Sequence, residues 1–141
     1  MLPIDIVEKY DSGKICEAYN EWPKIARTSY YNKLPKLDLE EIDNIVFAGM
    51  VGSGTVGDVI SSILSQTNIH VSVTKGYVLP KTVDKNTLVV STSISGNTDE
   101  TLSILDKYKN SDGKFVAFSS GGKMEDFCNK NTIDYYKIKK P

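Results

Sequence analysis

Five short apolar runs rich in β-branched residues, at 45–48, 69–73, 88–93, 115–118 and 133–138, alternate with stretches whose apolar residues recur at helical spacing. The runs are hydrophobic throughout rather than at every second position, which marks strands covered on both faces, as in a parallel sheet. The helical stretches lie at 55–65, 97–108 and 122–129. Strand–helix alternation with short connections predicts right-handed βαβ units. The expected fold is α/β: three αβα layers around a doubly wound parallel sheet of about five strands, in the order 2-1-3-4-5, with ligands at the carboxyl edge.

The first 42 residues have a different texture. Residues 1–10 read as irregular or as a short helix. Asp11 or Ser12 suits the cap of a helix from Lys14 to Asn20, with Ile15, Tyr19 and Trp22 on one side. Pro23 fits the first turn of a second helix through Ile25, Ala26 and Tyr30, and a polar connection containing Pro35 follows over 32–43. Residues 1–42 therefore read as a helical arm laid over a core, and 43–141 as the domain itself. Trp22, Tyr30 and Tyr31 read as packing or interface residues.

At 141 residues the chain is one domain by length. Its 17 basic and 18 acidic residues nearly cancel, with no run of either sign, so neither nucleic acid nor an acidic membrane is implied as a partner. No apolar stretch approaches the roughly 20 residues that span a bilayer, and no signal-peptide pattern opens the chain. Cys16 and Cys128 are far apart and match no metal spacing. Two free thiols in a cytoplasmic protein are the expectation. One histidine, His70, excludes a two-histidine metal motif, and its place early in the second run, away from the carboxyl edge, reads as structural or surface.

Candidate chemistry collects at strand ends. Phe47-Ala48-Gly49-Met50-Val51-Gly52-Ser53-Gly54-Thr55-Val56-Gly57 runs from a strand through a glycine-rich turn into a helix. Free N–H groups and the positive end of a helix dipole make an anion site there. Gly52 to Gly57 fits G-x-G-x-x-G, but the acidic residue that reads the adenosine ribose at the end of the next strand is missing. That strand ends Val73-Thr74-Lys75-Gly76, where Lys75 could at most read a 2′-phosphate. A plain βα turn without ligand is the alternative. No Gly-Lys-Ser/Thr follows, so a P-loop is excluded. In the second loop, Ser91, Thr92, Ser93, Ser95 and Thr98 place five hydroxyls in eight residues, with Gly96 for the turn and Asp99 and Glu100 suited to the first turn of a helix. Hydroxyls and helix N–H groups hold a phosphate without arginine or lysine. An ordinary Ser/Thr cap would explain one or two of these residues. A third loop, Ser119-Ser120-Gly121-Gly122-Lys123, with Glu125 and Asp126 behind it, could touch a sugar or a partner domain, or simply cap a helix.

Ser93-Ile94-Ser95-Gly96-Asn97-Thr98, followed by Asp99-Glu100-Thr101, resembles the signature of the sugar isomerase (SIS) domain. Gly49-Met50-Val51-Gly52-Ser53-Gly54 is similar to that family's first phosphate-side loop. The pairing is most similar to the N-terminal domain of archaeal-type bifunctional phosphoglucose/phosphomannose isomerases, whose usual patterns are Gly-Met-Gly-Gly-Ser and Ser-Tyr-Ser-Gly-Asn-Thr. Val51 stands for the second glycine and Ile94 for the tyrosine. The resemblance implies a flavodoxin-like fold and a sugar phosphate held by Gly52, Ser53, Gly54, Ser93, Ser95 and Thr98, without metal or cofactor. It also implies a site shared with a second SIS domain, from which the catalytic glutamate, histidine and lysine would come. The chain stops at Lys137-Ile138-Lys139-Lys140-Pro141, about where a linker to that domain would begin, so a homodimer or a missing second SIS domain is expected.

An aldose–ketose interconversion through an enediol needs a base at C1/C2 and a group that opens the ring. Glu100 is the one candidate base near the phosphate loop, and a first-turn acid is its simpler role. The expected function is half of a hexose-phosphate isomerase site. The alternatives are a non-catalytic sugar-phosphate sensor and a nucleotide-binding Rossmann-like domain.

Overall fold

The structure, a computed structural model, describes residues 6, 9–32, 34, 36, 37 and 39–139. The chain divides into two compact units, Met1–Lys36 together with Pro141, and Leu37–Lys140. The reading of residues 1–10 falls mostly outside the described residues, as does Pro35.

In the first unit, α1 (Ile15–Tyr31) is one continuous helix with Pro23 inside it. The two helices expected on either side of Pro23 are thus a single one. Proline removes one N–H and leaves the carbonyl four residues back without its helical partner. None of the residues of α1 is buried, so that carbonyl belongs to an exposed stretch of helix. The helix starts at Ile15 with Lys14 at its N-cap position, and Asp11, one of the two expected caps, serves it from three residues further back: its carboxylate accepts the N–H groups of Ile15 and Cys16, each at 2.8 Å, and these bonds hold its carboxyl below the usual value. Tyr19 and Trp22, one turn apart, pack with ring centroids 4.3 Å apart.

The second unit is built on five parallel strands: β1 (Asn44–Gly49), β2 (His70–Thr74), β3 (Thr87–Ser93), β4 (Lys114–Ser119) and β5 (Asp134–Lys137). Their order is β2-β1-β3-β4-β5, the order read from the sequence. Register places Phe47 beside Val73 and Val90, and Val90 beside Val116, so one sheet face is a continuous apolar surface. Phe47, Leu88, Val90 and Val116 form its buried centre, with Ile60 of α2 (Val51–Leu64) packed against it. On the opposite face Val46, Ala48 and Val89 meet Ile104 of α3 (Asp99–Tyr108). Ala117 and Leu105 meet Met124 and Cys128 of α4 (Lys123–Asn131). Burial pushes the Cys128 thiol up to about 11, while Cys16 is exposed, and both are free.

Between β2 and β3 the chain crosses over β1 without a helix, and Leu79, 3% exposed, fills the place beneath it. α2 begins at Val51, four residues before the sequence suggests, so Gly52, Ser53 and Gly54 form its first turn rather than a loop ahead of it. Glycine and serine have low helix propensity, but here they are small enough to let the helix start directly on the strand end. His70 opens β2 opposite Asn44, at the amino edge of the sheet. Among the described residues no helix is long and apolar enough to cross a membrane.

Gly57 sets the distance between α2 and the sheet. A Cβ at this position would lie 2.6 Å from the Phe47 Cβ and 3.0 Å from Val73. Both neighbours are held by the sheet and cannot retreat. Gly57→Ala is expected to lower stability by about 1–3 kcal/mol through overpacking, read from the midpoint of denaturant unfolding. An unchanged midpoint would show that the helix moves freely on the sheet.

Candidate functional site

β1 and β3 are neighbours, paired through Gly49 and Thr92 at their carboxyl ends. From β1 the chain turns into α2 on one face, and from β3 into α3 on the other. The two loops therefore splay apart and leave a crevice where the strand order reverses, the place at which open α/β sheets bind ligands. Both sequence-predicted loops flank it.

The first loop is strained. Met50 is extended (φ −99°, ψ 151°), and Val51 follows with φ +47°. A β-branched side chain in the left-handed region is a true outlier, costing about 1–2 kcal/mol. The strain turns the chain so that α2 starts at once. The N–H groups of Ser53 and Gly54 both return to the Met50 carbonyl, at 3.0 and 3.3 Å. Gly54 is buried, and a side chain there would meet the Gly49 carbonyl and Lys75. Gly52 is exposed and Ser53 half-buried at the crevice rim, where the Ser53 hydroxyl makes no hydrogen bond among the described residues. Lys75 pairs with Asp58 at 2.9 Å, which occupies the cation that a nucleotide 2′-phosphate could have used.

The second loop uses most of its hydroxyls internally. Thr92 donates to the Ser53 carbonyl at 3.3 Å and so ties the two loops together. Ser93, 2% exposed, accepts the Gly96 N–H at 3.1 Å and shares a 2.7 Å hydrogen bond with Thr98. Ser95 is exposed and accepts the Asn97 N–H at 3.2 Å. Ser91 lies within β3, fully buried, with no partner for its hydroxyl among the described residues. Three hydroxyl protons thus remain for a ligand: those of Ser53 and Ser95, and one of the Ser93–Thr98 pair, since only one of the two donates to the other. Thr98 stands before α3 without capping it through its side chain. That leaves the positive end of α3 facing the crevice, beside the acids Asp99 and Glu100.

Glu100 is engaged with Tyr77, whose phenol its carboxylate pushes above the ordinary range. Glu125 pairs with Lys137 at 2.9 Å and keeps that ammonium protonated to higher pH than usual. Among the described residues no group of three His, Cys, Asp or Glu side chains could hold a metal ion.

Beside the crevice an open cavity of about 620 Å³ runs along the sheet face that α2 covers only in part. Met50, Gly52, Ser53, Thr92, Ser93 and Ile94 form one rim, and Phe47, Val90, Val116 and Phe118 the floor. Among the described residues no charged or titratable side chain lines it. Its floor is unsuited to sugar hydroxyls; only the rim is polar.

No family model matches the chain. It is 40% identical over 100 residues to the bifunctional phosphoglucose/phosphomannose isomerase of Caldicellulosiruptor bescii, a match covering 70% of this chain and 30% of that one. Among solved structures, the C-terminal domain of glucosamine-fructose-6-phosphate aminotransferase from Francisella tularensis superposes with a TM-score of 0.68 at 20% identity, covering 93% of this chain and 40% of that one. The fold is that of a sugar isomerase domain. A second neighbour, a protein of E. coli CFT073 solved as a ligand complex, gives a TM-score of 0.67 at 17% identity over 97% of this chain and 74% of its own. The resemblance drawn from the two loops therefore holds, although the chain spans only about a third of the length of the isomerases it matches.

Two substitutions test the loop geometry. Val51 is 84% exposed, so Val51→Gly removes strain with little loss of packing. A gain of about 0.5–1 kcal/mol in unfolding free energy is expected once the entropy of glycine is set against it. A loss would mean that Val51 is not strained. Gly96 has φ +67°, and a Cβ there would strike the Gly121 carbonyl. Gly96→Ala should therefore unseat the second loop, lowering the melting temperature by several degrees.

Proposed function

We propose that this chain binds a hexose 6-phosphate at the β1/β3 crevice and forms half of an aldose–ketose isomerase site. The reaction is the interconversion of glucose 6-phosphate or mannose 6-phosphate with fructose 6-phosphate. The reading is supported by the 3.3 Å bond from Thr92 to the Ser53 carbonyl, which ties together two loops whose Ser53 and Ser95 hydroxyl protons are uncommitted among the described residues. Phosphate oxygens accept such protons in charge-assisted hydrogen bonds, and the first turns of α2 and α3 add the positive ends of two helix dipoles. In this reading Gly52, Ser53, Ser93, Ser95 and Thr98 surround the phosphate, and Gly54 shapes the turn beneath it. The names of the related isomerases supply the reaction class.

The chemistry is incomplete in this part of the molecule. Enediol formation needs a base at the sugar carbon and a proton donor for ring opening; among the described residues the cavity beside the crevice is lined without a titratable side chain, and Glu100 at the crevice is engaged with Tyr77. Those groups come from a second SIS domain or from a second copy of the chain. The uncovered apolar sheet face, with Val56 and Val59 of α2 half-exposed beside it, is the surface that such a partner would cover. The chain alone should bind sugar phosphate, turn over little, and associate. Two unpaired thiols accord with a cytoplasmic setting.

Ser53→Ala is the cleanest binding test, because that hydroxyl has no structural duty. Loss of one hydrogen bond to a charged phosphate predicts about tenfold weaker fructose 6-phosphate binding by calorimetry, with an unchanged melting temperature. Equal affinity in variant and wild type would move the phosphate off the first loop. Sedimentation at high concentration should show a dimer; a strict monomer would leave the second domain as the partner. Robust isomerase turnover by the pure chain would contradict the half-site reading.

A further inference from the structure

The third strand-end loop, residues 119–122, is bound to the hydroxyl loop rather than open to solvent. The Ile94 carbonyl accepts both the Ser120 N–H, at 3.0 Å, and the Ser120 hydroxyl, at 2.6 Å. The Gly96 carbonyl accepts the Met124 N–H at 2.9 Å. The Asn97 side chain bridges: its Oδ1 accepts the Lys123 N–H at 3.1 Å, and its Nδ2 donates to the Ser95 carbonyl at 3.2 Å. The N-terminus of α4 is thereby spent on a neighbouring loop and not on an anion. The clamp is itself anchored, since the Ser119 hydroxyl bonds the Gly121 carbonyl at 2.8 Å and shares a 3.0 Å bond with the Tyr135 hydroxyl of β5.

We infer that Asn97 and Ser120 are positioning residues: through them the third loop holds the second in the conformation that aims Ser95 and Thr98 into the crevice. Neither acts by touching the phosphate. Asn97 fixes the carbonyl of Ser95 while the Ser95 hydroxyl holds the Asn97 N–H, so the two residues lock one turn from both sides. Ser120 pins Ile94, the residue before that turn. An unclamped loop would have to be ordered by the ligand, and part of the binding energy would be lost to that ordering. The affinity part of this inference rests on the function proposed above; the clamp does not.

The test therefore has two readouts on wild type, Asn97→Ala, Asn97→Asp and Ser120→Ala. The first is amide hydrogen exchange in the ligand-free protein. Exchange at residues 94–98 and 123–124 should quicken together in Asn97→Ala and in Ser120→Ala, and should stay slower in Asn97→Asp, which keeps an acceptor for the Lys123 N–H. The second is calorimetric affinity for fructose 6-phosphate and for inorganic phosphate. Both should weaken by the same factor, about five- to tenfold, in Asn97→Ala. A residue that merely stabilises the fold would lower the melting temperature and leave the affinity of the folded protein unchanged. Unchanged exchange at 94–98, or quickened exchange with affinity within twofold of wild type, would overturn the inference. Absence of binding by the wild type would overturn the proposed function instead, and the exchange rates alone would then decide the clamp.

Discussion

The constraint on which the rest of the structure depends is the hand of the βαβ crossover. Because parallel strands connect right-handedly, a sheet that grows outward from β1 in one direction and from β3 in the other must place α2 on one face and α3 on the opposite one. The chain ends of β1 and β3 then leave their common edge in opposite directions, and a crevice opens between them without any residue being assigned to make it. The local residues decide only how that crevice is finished. Small side chains let α2 sit close to Phe47, a strained Val51 turns the helix straight off the strand, and Thr92 bonds the Ser53 carbonyl across the gap.

What the crevice can hold follows from what lines it. Its rim is hydroxyl and amide, the cavity beside it has a hydrocarbon floor, and among the described residues no positive side chain lines that cavity. A phosphate is suited to such a rim, because hydroxyl protons and helix ends stabilise its charge without the desolvation that a buried lysine would bring. A sugar ring is not suited to the floor. In the proposed function the polar and apolar parts belong to different partners, ligand at the rim and protein over the face, and the chain supplies half a site. The internal use of the hydroxyls is equally consistent: Ser93, Ser95 and Thr98 are held in place by bonds within the loop itself, and Ser95 and one of the Ser93–Thr98 pair keep a proton to give.

Much of this is legible in the sequence, and the exceptions have physical causes. The five strands are written in continuous β-branched runs, as a sheet with apolar side chains on both faces requires, their order follows from the strand–helix alternation, and the two loops stand at their ends. The start of α2 is hidden because Gly52, Ser53 and Gly54 have the local preferences of a turn, and only the sheet beneath them makes a helix of them. Pro23 imitates a boundary because a proline inside a helix loses a hydrogen bond; in an exposed helix that loss is small. The clamp on the second loop has no sequence signal, since Asn97 and Lys123 are 26 residues apart and their pairing exists only once β3 and β4 lie side by side. The same holds for Lys75 and Glu100, whose partners, Asp58 and Tyr77, are set by the fold.

Phosphate binding across the crevice is read most directly by a two-dimensional amide NMR titration of the chain with fructose 6-phosphate. Binding there gives saturable shifts at Gly52, Ser53 and residues 95–98, on both sides of the crevice at once, with little change at the amino edge around His70. Saturable shifts confined to any other surface, or none at millimolar ligand, would contradict it.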